Sequence, residues 1–245
     1  MMVYKLLAML LHLFSGLLTS AVIFPFTDAA GRERRIKSWS ARLLRICGVK
    51  VVVNQSVGEI LAHNVLIVAN HVSWLDIFVI NSLQPCRFVA KSDIRDWPLL
   101  GWLCDRAGTI FIARGRQRDV RRIYEGLVKS IRAGERIAFF PEGTTEAQGQ
   151  VLPFHANLFE AAIEAKVPVQ PYALRYLDDA GRLHPAADFV GDTAFVQSVM
   201  AILKSGGMNA EVTVLPPMSS SGAHRRELAA AARSSVASAL GYLPD

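Results

Sequence analysis

An α/β fold, with a largely parallel central sheet flanked by helices and preceded by membrane-associated N-terminal helices, is the class this sequence predicts. From residue 49 onward, short β-rich runs alternate with helix-patterned stretches, as strand–helix–strand units require. Several runs, such as residues 65–69, are apolar throughout, which suits strands covered on both faces. At the other extreme of pattern, residues 6–26 contain no Asp, Glu, Lys or Arg. The 245 residues suffice for one sizeable core, and no linker or internal repeat divides them. The expected division is residues 1–48 as membrane-anchoring or interfacial helices and residues 49–245 as one domain.

The first element is the apolar segment 6–26, broken only by His12, Ser15, Thr19 and Ser20. As one helix it reaches roughly 30 Å at ~1.5 Å per residue, which makes spanning a bilayer marginal. A cleaved signal peptide is the alternative, but the apolar region is long for one and only Lys5 precedes it. Next, residues 36–47 place Ile36, Trp39, Leu43, Ile46 and Cys47 on one helical face, with Arg34, Lys37, Arg42 and Arg45 mainly opposite. Such a basic amphipathic helix can lie in the headgroup region or cover a protein core. The apolar segment before it favours the membrane. Strands follow at 50–53, 65–69, 87–90, 109–112, 137–140, 169–173 and 211–214. Between them, helices are expected at 74–83, 98–105, 118–133, 156–165 and 193–203. Asp178-Asp179-Ala180-Gly181 has the chemistry of a hairpin turn. A last helix starts at Ser221 or Gly222, with Leu228, Ala232, Val236 and Leu240 on one stripe.

Composition narrows the function classes. The formal charge of +6 favours an anionic partner without choosing among nucleic acid, lipid and phosphorylated substrates. The cluster Arg32, Arg34, Arg35, Lys37, Arg42 and Arg45 is of the kind retained on the cytoplasmic side of a membrane. Cys47, Cys86 and Cys104 are scattered and odd in number, which argues against a disulfide framework or a zinc site. There is no GxSxG elbow and no GxxxxGK[ST] loop, so serine-hydrolase and P-loop readings lack their central residues. The remaining histidines, at 12, 63, 155, 184 and 224, show no metal-ligand spacing beside His71 and Asp76.

Chemistry concentrates where strands end. In Asn70-His71-Val72-Ser73-Trp74-Leu75-Asp76, directly after the run 65–69, a histidine and an aspartate meet at a strand-to-helix turn. Such a pair can hold an imidazole in one tautomer and activate an alcohol, though it can also be a simple packing pair. Asn70 is expected to hold the turn and Ser73 to cap the helix carrying Asp76. Two more runs end in polar, backbone-permissive residues, at 108–114 and 138–145, so three strand ends can converge on one cleft. Arg114 can grip a phosphate with two planar donors, and Lys91 can add a second cation. Glu142 can accept from a substrate hydroxyl, while Gly143 permits close approach and its neighbouring amides can face an oxyanion. The basic run Arg114, Arg116, Arg118, Arg121 and Arg122 lacks the interleaved aromatics of a nucleic-acid surface.

The ordered set NHVSWLD at 70–76, GTIFIAR at 108–114, FPEGTT at 140–145 and VPVQP at 167–171 resembles the four-block signature of the glycerolipid acyltransferases, specifically the 1-acyl-sn-glycerol-3-phosphate type. The resemblance covers roughly residues 65–175 and implies an acyltransferase domain at 49–245. It assigns His71 as the catalytic base and Asp76 as its partner. Gly108, Phe111 and Arg114 match the second block, whose arginine holds the acceptor phosphate. Glu142, Gly143 and Thr144 match the third, also given to the acceptor, and Pro168 the fourth, associated with the acyl donor. No metal or other cofactor is implied; acyl-CoA or acyl carrier protein is the co-substrate. The implied acceptor is lysophosphatidic acid or a related lysolipid, such as lyso-ornithine lipid, met at an anionic membrane surface. The expected location is the cytoplasmic face of the inner or plasma membrane, and nucleic acid is not an expected partner. A fold retained as a non-catalytic membrane-binding protein is the alternative from a different class.

Overall fold

The computed structural model describes residues 2–54, 58–97, 100–112 and 117–242. Its first helix, α1 (Met2–Leu18), runs on through a π-helical turn (Thr19–Ile23) and a 3-10 turn (Phe24–Phe26), where Pro25 ends regular helix. The helix α2 (Ala29–Cys47) starts at Asp28, whose Oδ1 accepts from the Gly31 amide at 2.8 Å. It ends at Gly48, with φ of 81°, a left-handed cap that glycine adopts without strain. This helix is longer than the sequence pattern suggested because its first two turns are polar on most sides.

The remaining elements alternate. They are β1 (Val49–Asn54), β2 (Leu66–Ala69), α3 (Leu75–Leu83), β3 (Arg87–Lys91), α4 (Leu100–Arg106), β4 (Ile110–Ile112), α5 (Gln117–Arg132), β5 (Ile137–Phe139), α6 (Phe159–Ala165), β6 (Val169–Leu177), α7 (Phe195–Lys204), β7 (Met208–Val214) and α8 (Arg225–Leu240). The seven strands form one sheet in the order β1-β7-β6-β2-β5-β3-β4. Strands β6, β2, β5, β3 and β4 run parallel, and β7 pairs antiparallel to β6 and parallel to β1. Asp178 makes the turn after β6, its Oδ1 accepting from the Ala180 and Arg182 amides at 2.9 Å each.

Strand β2 shows why the sheet is buried on both faces. Ile67 and Ala69 pack with Leu43 and Leu44 of α2, Leu75, Val79 and Ile80 of α3, and Val199 and Ile202 of α7. Leu66 and Val68 point the other way, against Leu127 and Ile131 of α5, Phe159 of α6, and Leu228 and Ala232 of α8. The result is three layers, with β2 at the centre.

The N-terminal pair corrects one expectation. Leu43, Leu44 and Cys47 of α2 are buried in the protein core, so the apolar face of α2 covers the domain rather than a lipid surface. The outward apolar stripe belongs to α1 and its continuation: Val3, Leu7, Leu11, Phe14, Leu18, Val22 and Phe26 are exposed at helical spacing. Its opposite face, with Met9, His12 and Gly16, is buried. His12 Nε2–H donates to the Trp39 carbonyl at 2.9 Å and Trp39 Nε1–H donates to the His12 carbonyl at 3.1 Å, with the rings stacked at 4.5 Å. A Cβ on Gly16 would come within 2.8 Å of Trp39 Nε1, so only glycine admits the indole there.

Candidate active site

The parallel register carries β2, β5, β3 and β4 to one edge. Val68 lies opposite Phe139, Phe88 opposite Ala138, and Lys91 opposite Ile112. His71 therefore emerges beside the chain leaving β5, where ligands gather in open α/β sheets. Asn70 fixes the turn by acting as a stretch of backbone. Its Nδ2 donates to the Leu174 carbonyl at 2.9 Å and its Oδ1 accepts from the Leu174 amide at 2.8 Å, extending the pairing of β2 with β6.

His71 and Asp76 are in direct contact: Nδ1–H donates to Asp76 Oδ2 at 2.8 Å. The same oxygen accepts from the Val72 amide at 2.8 Å and the Ser73 amide at 2.9 Å. The other oxygen, Oδ1, accepts from the Tyr176 hydroxyl at 2.6 Å. Asp76 is wholly buried, whereas the His71 side chain is 18% exposed. With Nδ1 committed as donor, Nε2 is left as the acceptor, and it has no protein partner among the described residues. Phe140 stacks on the imidazole with centroids 3.8 Å apart and planes 6° from parallel.

The backbone of His71 is held as firmly as its ring. Glu142 Oε1 accepts from the His71 amide at 2.8 Å, and the Glu146 amide donates to the His71 carbonyl at 2.8 Å. Glu142 Oε2 accepts from the Leu152 amide at 2.9 Å. Both oxygens of Glu142 thus brace the protein, whereas the sequence suggested that they meet a substrate hydroxyl. Burial pushes this carboxyl up to about 7, against the lowering effect of the two amides and with help from the charges of Asp76 and Glu146.

The other candidates divide between the two edges of the sheet. Lys91 is exposed at the end of β3, and the half-buried Phe111 carries the Arg95 guanidinium 5.7 Å above its ring. Gly143 has φ of 72°, and a Cβ there would meet His155 Cδ2 at 3.3 Å. Its amide donates to the Phe140 carbonyl at 3.1 Å, so it closes a turn rather than facing an oxyanion. Thr144 is exposed beside it. Arg114 lies outside the described residues, as do Arg116 and the side chains of Arg118, Arg121 and Arg122.

Gly108 and Pro168 are not at this edge. Gly108 ends α4 with φ of 85°: its amide donates to the Asp105 carbonyl at 3.0 Å, and the Thr109 amide donates to the Cys104 carbonyl at 2.9 Å. Its own carbonyl accepts from Arg87 Nε at 2.8 Å, at the start of β3. Pro168 precedes β6 at the level of Val65, since Val169 lies opposite Leu66. Val65 and His71 are six positions apart along this extended stretch, roughly 20 Å at ~3.3 Å per residue. Both block residues shape the backbone at the far edge of the sheet.

Ser73 does not cap α3. Its hydroxyl is buried with no hydrogen-bond partner, and the turn is closed by the Asp76 side chain reaching back to two amides. Sequence reasoning also missed Tyr176 and Gln148. The Oε1 of Gln148 accepts from the Tyr176 amide at 2.6 Å, and its Nε2 donates to Asp188 Oδ1 at 3.1 Å. Two open hollows of about 380 and 390 Å³ lie elsewhere, and none of the candidate residues lines either. Convergent chemistry at a strand edge marks the site.

The sequence pattern of a family described as Acyltransferase matches residues 49–175, from β1 into β6. The chain belongs to this acyltransferase family. Among its relatives, a lyso-ornithine lipid O-acyltransferase from Pseudomonas aeruginosa is 38% identical over 209 residues, covering 85% of this chain and 79% of that protein. A 1-acyl-sn-glycerol-3-phosphate acyltransferase from Neisseria gonorrhoeae is 43% identical over 120 residues, covering 49% of this chain and 47% of that protein. The crystal structure of the 1-acyl-sn-glycerophosphate acyltransferase from Thermotoga maritima shares the fold, with a TM-score of 0.64 and 20% identity over the whole of both chains. The His71–Asp76 edge of this acyltransferase lies within the matched segment, and Tyr176 is the first residue beyond it.

Proposed function

We propose that this acyltransferase moves a fatty acyl chain from acyl-CoA or acyl carrier protein to the sn-2 hydroxyl of 1-acyl-glycerol-3-phosphate, forming phosphatidic acid. The observation that carries the reading is the bare Nε2 of His71 at the open strand edge, with Nδ1–H held by a buried carboxylate. The acceptor hydroxyl gives its proton to Nε2 as its oxygen bonds to the thioester carbonyl carbon. The tetrahedral intermediate then collapses, the carbon–sulfur bond breaks, and the departing thiolate takes the proton from the imidazolium. Asp76 balances the positive charge on the ring while it holds that proton. No step requires a metal.

Arg114 and Lys91 are the cations proposed for the acceptor phosphate. Glu142 supports His71 from behind, and Gly143, Phe111 and Thr144 are the further residues proposed for the acceptor. Gly108 and Pro168 enter only as backbone supports. The membrane arrives on the α1 side: its exposed apolar stripe suits insertion into one leaflet, and the exposed Arg34, Arg35, Lys37, Arg42 and Arg45 of α2 suit anionic lipid on the cytoplasmic face.

A second acceptor, lyso-ornithine lipid, has its own support. The relative named for that activity aligns over 85% of this chain, against 49% for the relative named for 1-acyl-glycerol-3-phosphate. The test is a mass-resolved acylation assay on the purified full-length chain with a panel of lysolipids, each offered with acyl-CoA and with acyl carrier protein. Phosphatidic acid as the main product supports the first reading, and acylated ornithine lipid the second. His71→Ala is expected to lose about 10²- to 10⁴-fold in turnover while retaining lipid binding. Near-wild-type turnover in that variant removes His71 as the base.

A further inference from the structure

Asp76 accepts four hydrogen bonds, and three of them converge on Oδ2. Two of those three come from the adjacent amides of Val72 and Ser73, which already hold the carboxylate at the strand-to-helix turn. The fourth is of a different kind. It comes from the hydroxyl of Tyr176, at the end of β6 and 100 positions further along the chain, and it meets the oxygen that does not face the imidazole. Tyr176 is itself anchored, since its amide donates to Gln148 in the loop that also braces His71. Neither the phenol nor the carboxylate reaches solvent.

A donor on Oδ1 has two physical consequences. It stops rotation of the carboxylate about its own axis, and it draws charge away from Oδ2, which supports the imidazole. We propose that Tyr176 is a positioning residue that sets how strongly Asp76 supports His71 as the proton acceptor. Burial and the adjacent Asp76 charge push the phenol well above the ordinary tyrosine range, so it remains a donor wherever the enzyme works. The proposal rests on His71 being the base and is independent of the acceptor headgroup.

The other titratable groups facing the pair are Glu142, which holds the His71 amide and interacts with the Asp76 charge, and Glu146, whose amide holds the His71 carbonyl. Both stay in place when only the phenol is changed. In Tyr176→Phe, Oδ2 keeps more charge for the imidazolium, so the acid limb of the kcat/KM profile moves to higher pH, by about half a unit. The freed carboxylate also holds the ring less well, and kcat falls about tenfold with KM within about twofold. Placing 3-fluorotyrosine at position 176 makes the phenol a stronger donor and moves the acid limb to lower pH.

The experiment measures pH profiles of the full-length wild-type chain, Tyr176→Phe and the 3-fluorotyrosine protein in mixed micelles, using the lysolipid and acyl-CoA that the wild type turns over. His71→Ala runs alongside. Opposite shifts of the acid limb in the two variants support the proposal, and a residue that merely filled space would give neither. A limb that stays put or moves the wrong way in either folded variant overturns it, whether or not kcat falls. The fluorinated protein keeps the tyrosine shape, so the test survives if Tyr176→Phe does not fold. Turnover by His71→Ala would instead overturn the base assignment.

Discussion

Replacing Asp76 with Asn separates the charge of the pair from its geometry. An asparagine can occupy the site with its carbonyl oxygen where Oδ2 is now, accepting from His71, Val72 and Ser73, and its amide group towards Tyr176. The tyrosine hydroxyl can then turn and accept, which leaves its own buried proton without a partner at a cost of about 1–3 kcal/mol, and the fold is expected to persist at lower stability. The loss is the negative charge beside an imidazole that, in the proposed transfer, becomes positive as it takes the acceptor's proton. For unit charges about 4 Å apart at an effective dielectric constant of about 20, that attraction is ~4 kcal/mol. At about 1.36 kcal/mol per decade this predicts a fall in kcat of roughly 10³. Single-turnover acylation, with circular dichroism as a control on folding, provides the assay. A folded Asp76→Asn protein with kcat within about threefold of wild type would mean that charge on residue 76 does not support the transfer, and the base–acid reading would fall.

Two further outcomes follow from the positions of block residues. Gly108→Ala forces a side chain into a left-handed backbone with a Cβ 3.2 Å from Arg87 Nε, so it is expected to destabilise the fold by about 1–2 kcal/mol in denaturant melts. Its KM for the lysolipid should remain near wild type, because the glycine sits at the edge away from His71. Glu142 holds its proton in the folded state to about pH 7, against an ordinary value of 4.5. The folded state therefore binds the extra proton between those values, and stability falls as pH rises through that window. Glu142→Gln cannot ionise, so its melting temperature should lack this contribution. It also sets an amide donor against a backbone N–H of His71 or Leu152, so it should melt lower than wild type at acidic pH.

Much of this was legible because local pattern and tertiary context agree. All seven expected strands form, since apolar β-rich runs at 65–69 and 137–140 have no other way to bury both faces. The contact between His71 and Asp76 was legible because a turn and one helical step suffice to bring them together. Tyr176 was not, because its pairing with Asp76 depends on β6 lying next to β2, which no local spacing reveals. A signal existed nonetheless: Tyr172, Leu174 and Tyr176 alternate onto the buried face that packs with α3, and a buried tyrosine there needs a partner for its hydroxyl. Gly108 and Pro168 lie at the edge of the sheet away from His71, a placement that depends on the register of β4 and β6 and that no local spacing reveals.

The reversal of roles between α1 and α2 bears on how the reaction reaches the membrane. Had α2 laid its apolar face on lipid, the catalytic domain would hang from the bilayer by a helix with little else to orient it. Instead α2 is part of the domain core, and α1 is latched to it through the His12–Trp39 pair. From Trp39 the contacts continue inward: Trp39 packs on Phe78 at 5.8 Å, and Phe78 packs on Trp74 at 5.9 Å. Trp74 lies two residues before Asp76 and donates its indole N–H to Ser198 of α7 at 3.1 Å. Packed side chains therefore join the exposed stripe of α1 to the turn that carries His71. Such interiors deform little, so the stripe and Nε2 keep a set distance and orientation. If His71 acts as the proposed base on a hydroxyl near the headgroups, that constancy would hold Nε2 at the depth where the hydroxyl lies, as a site at converging strand ends requires.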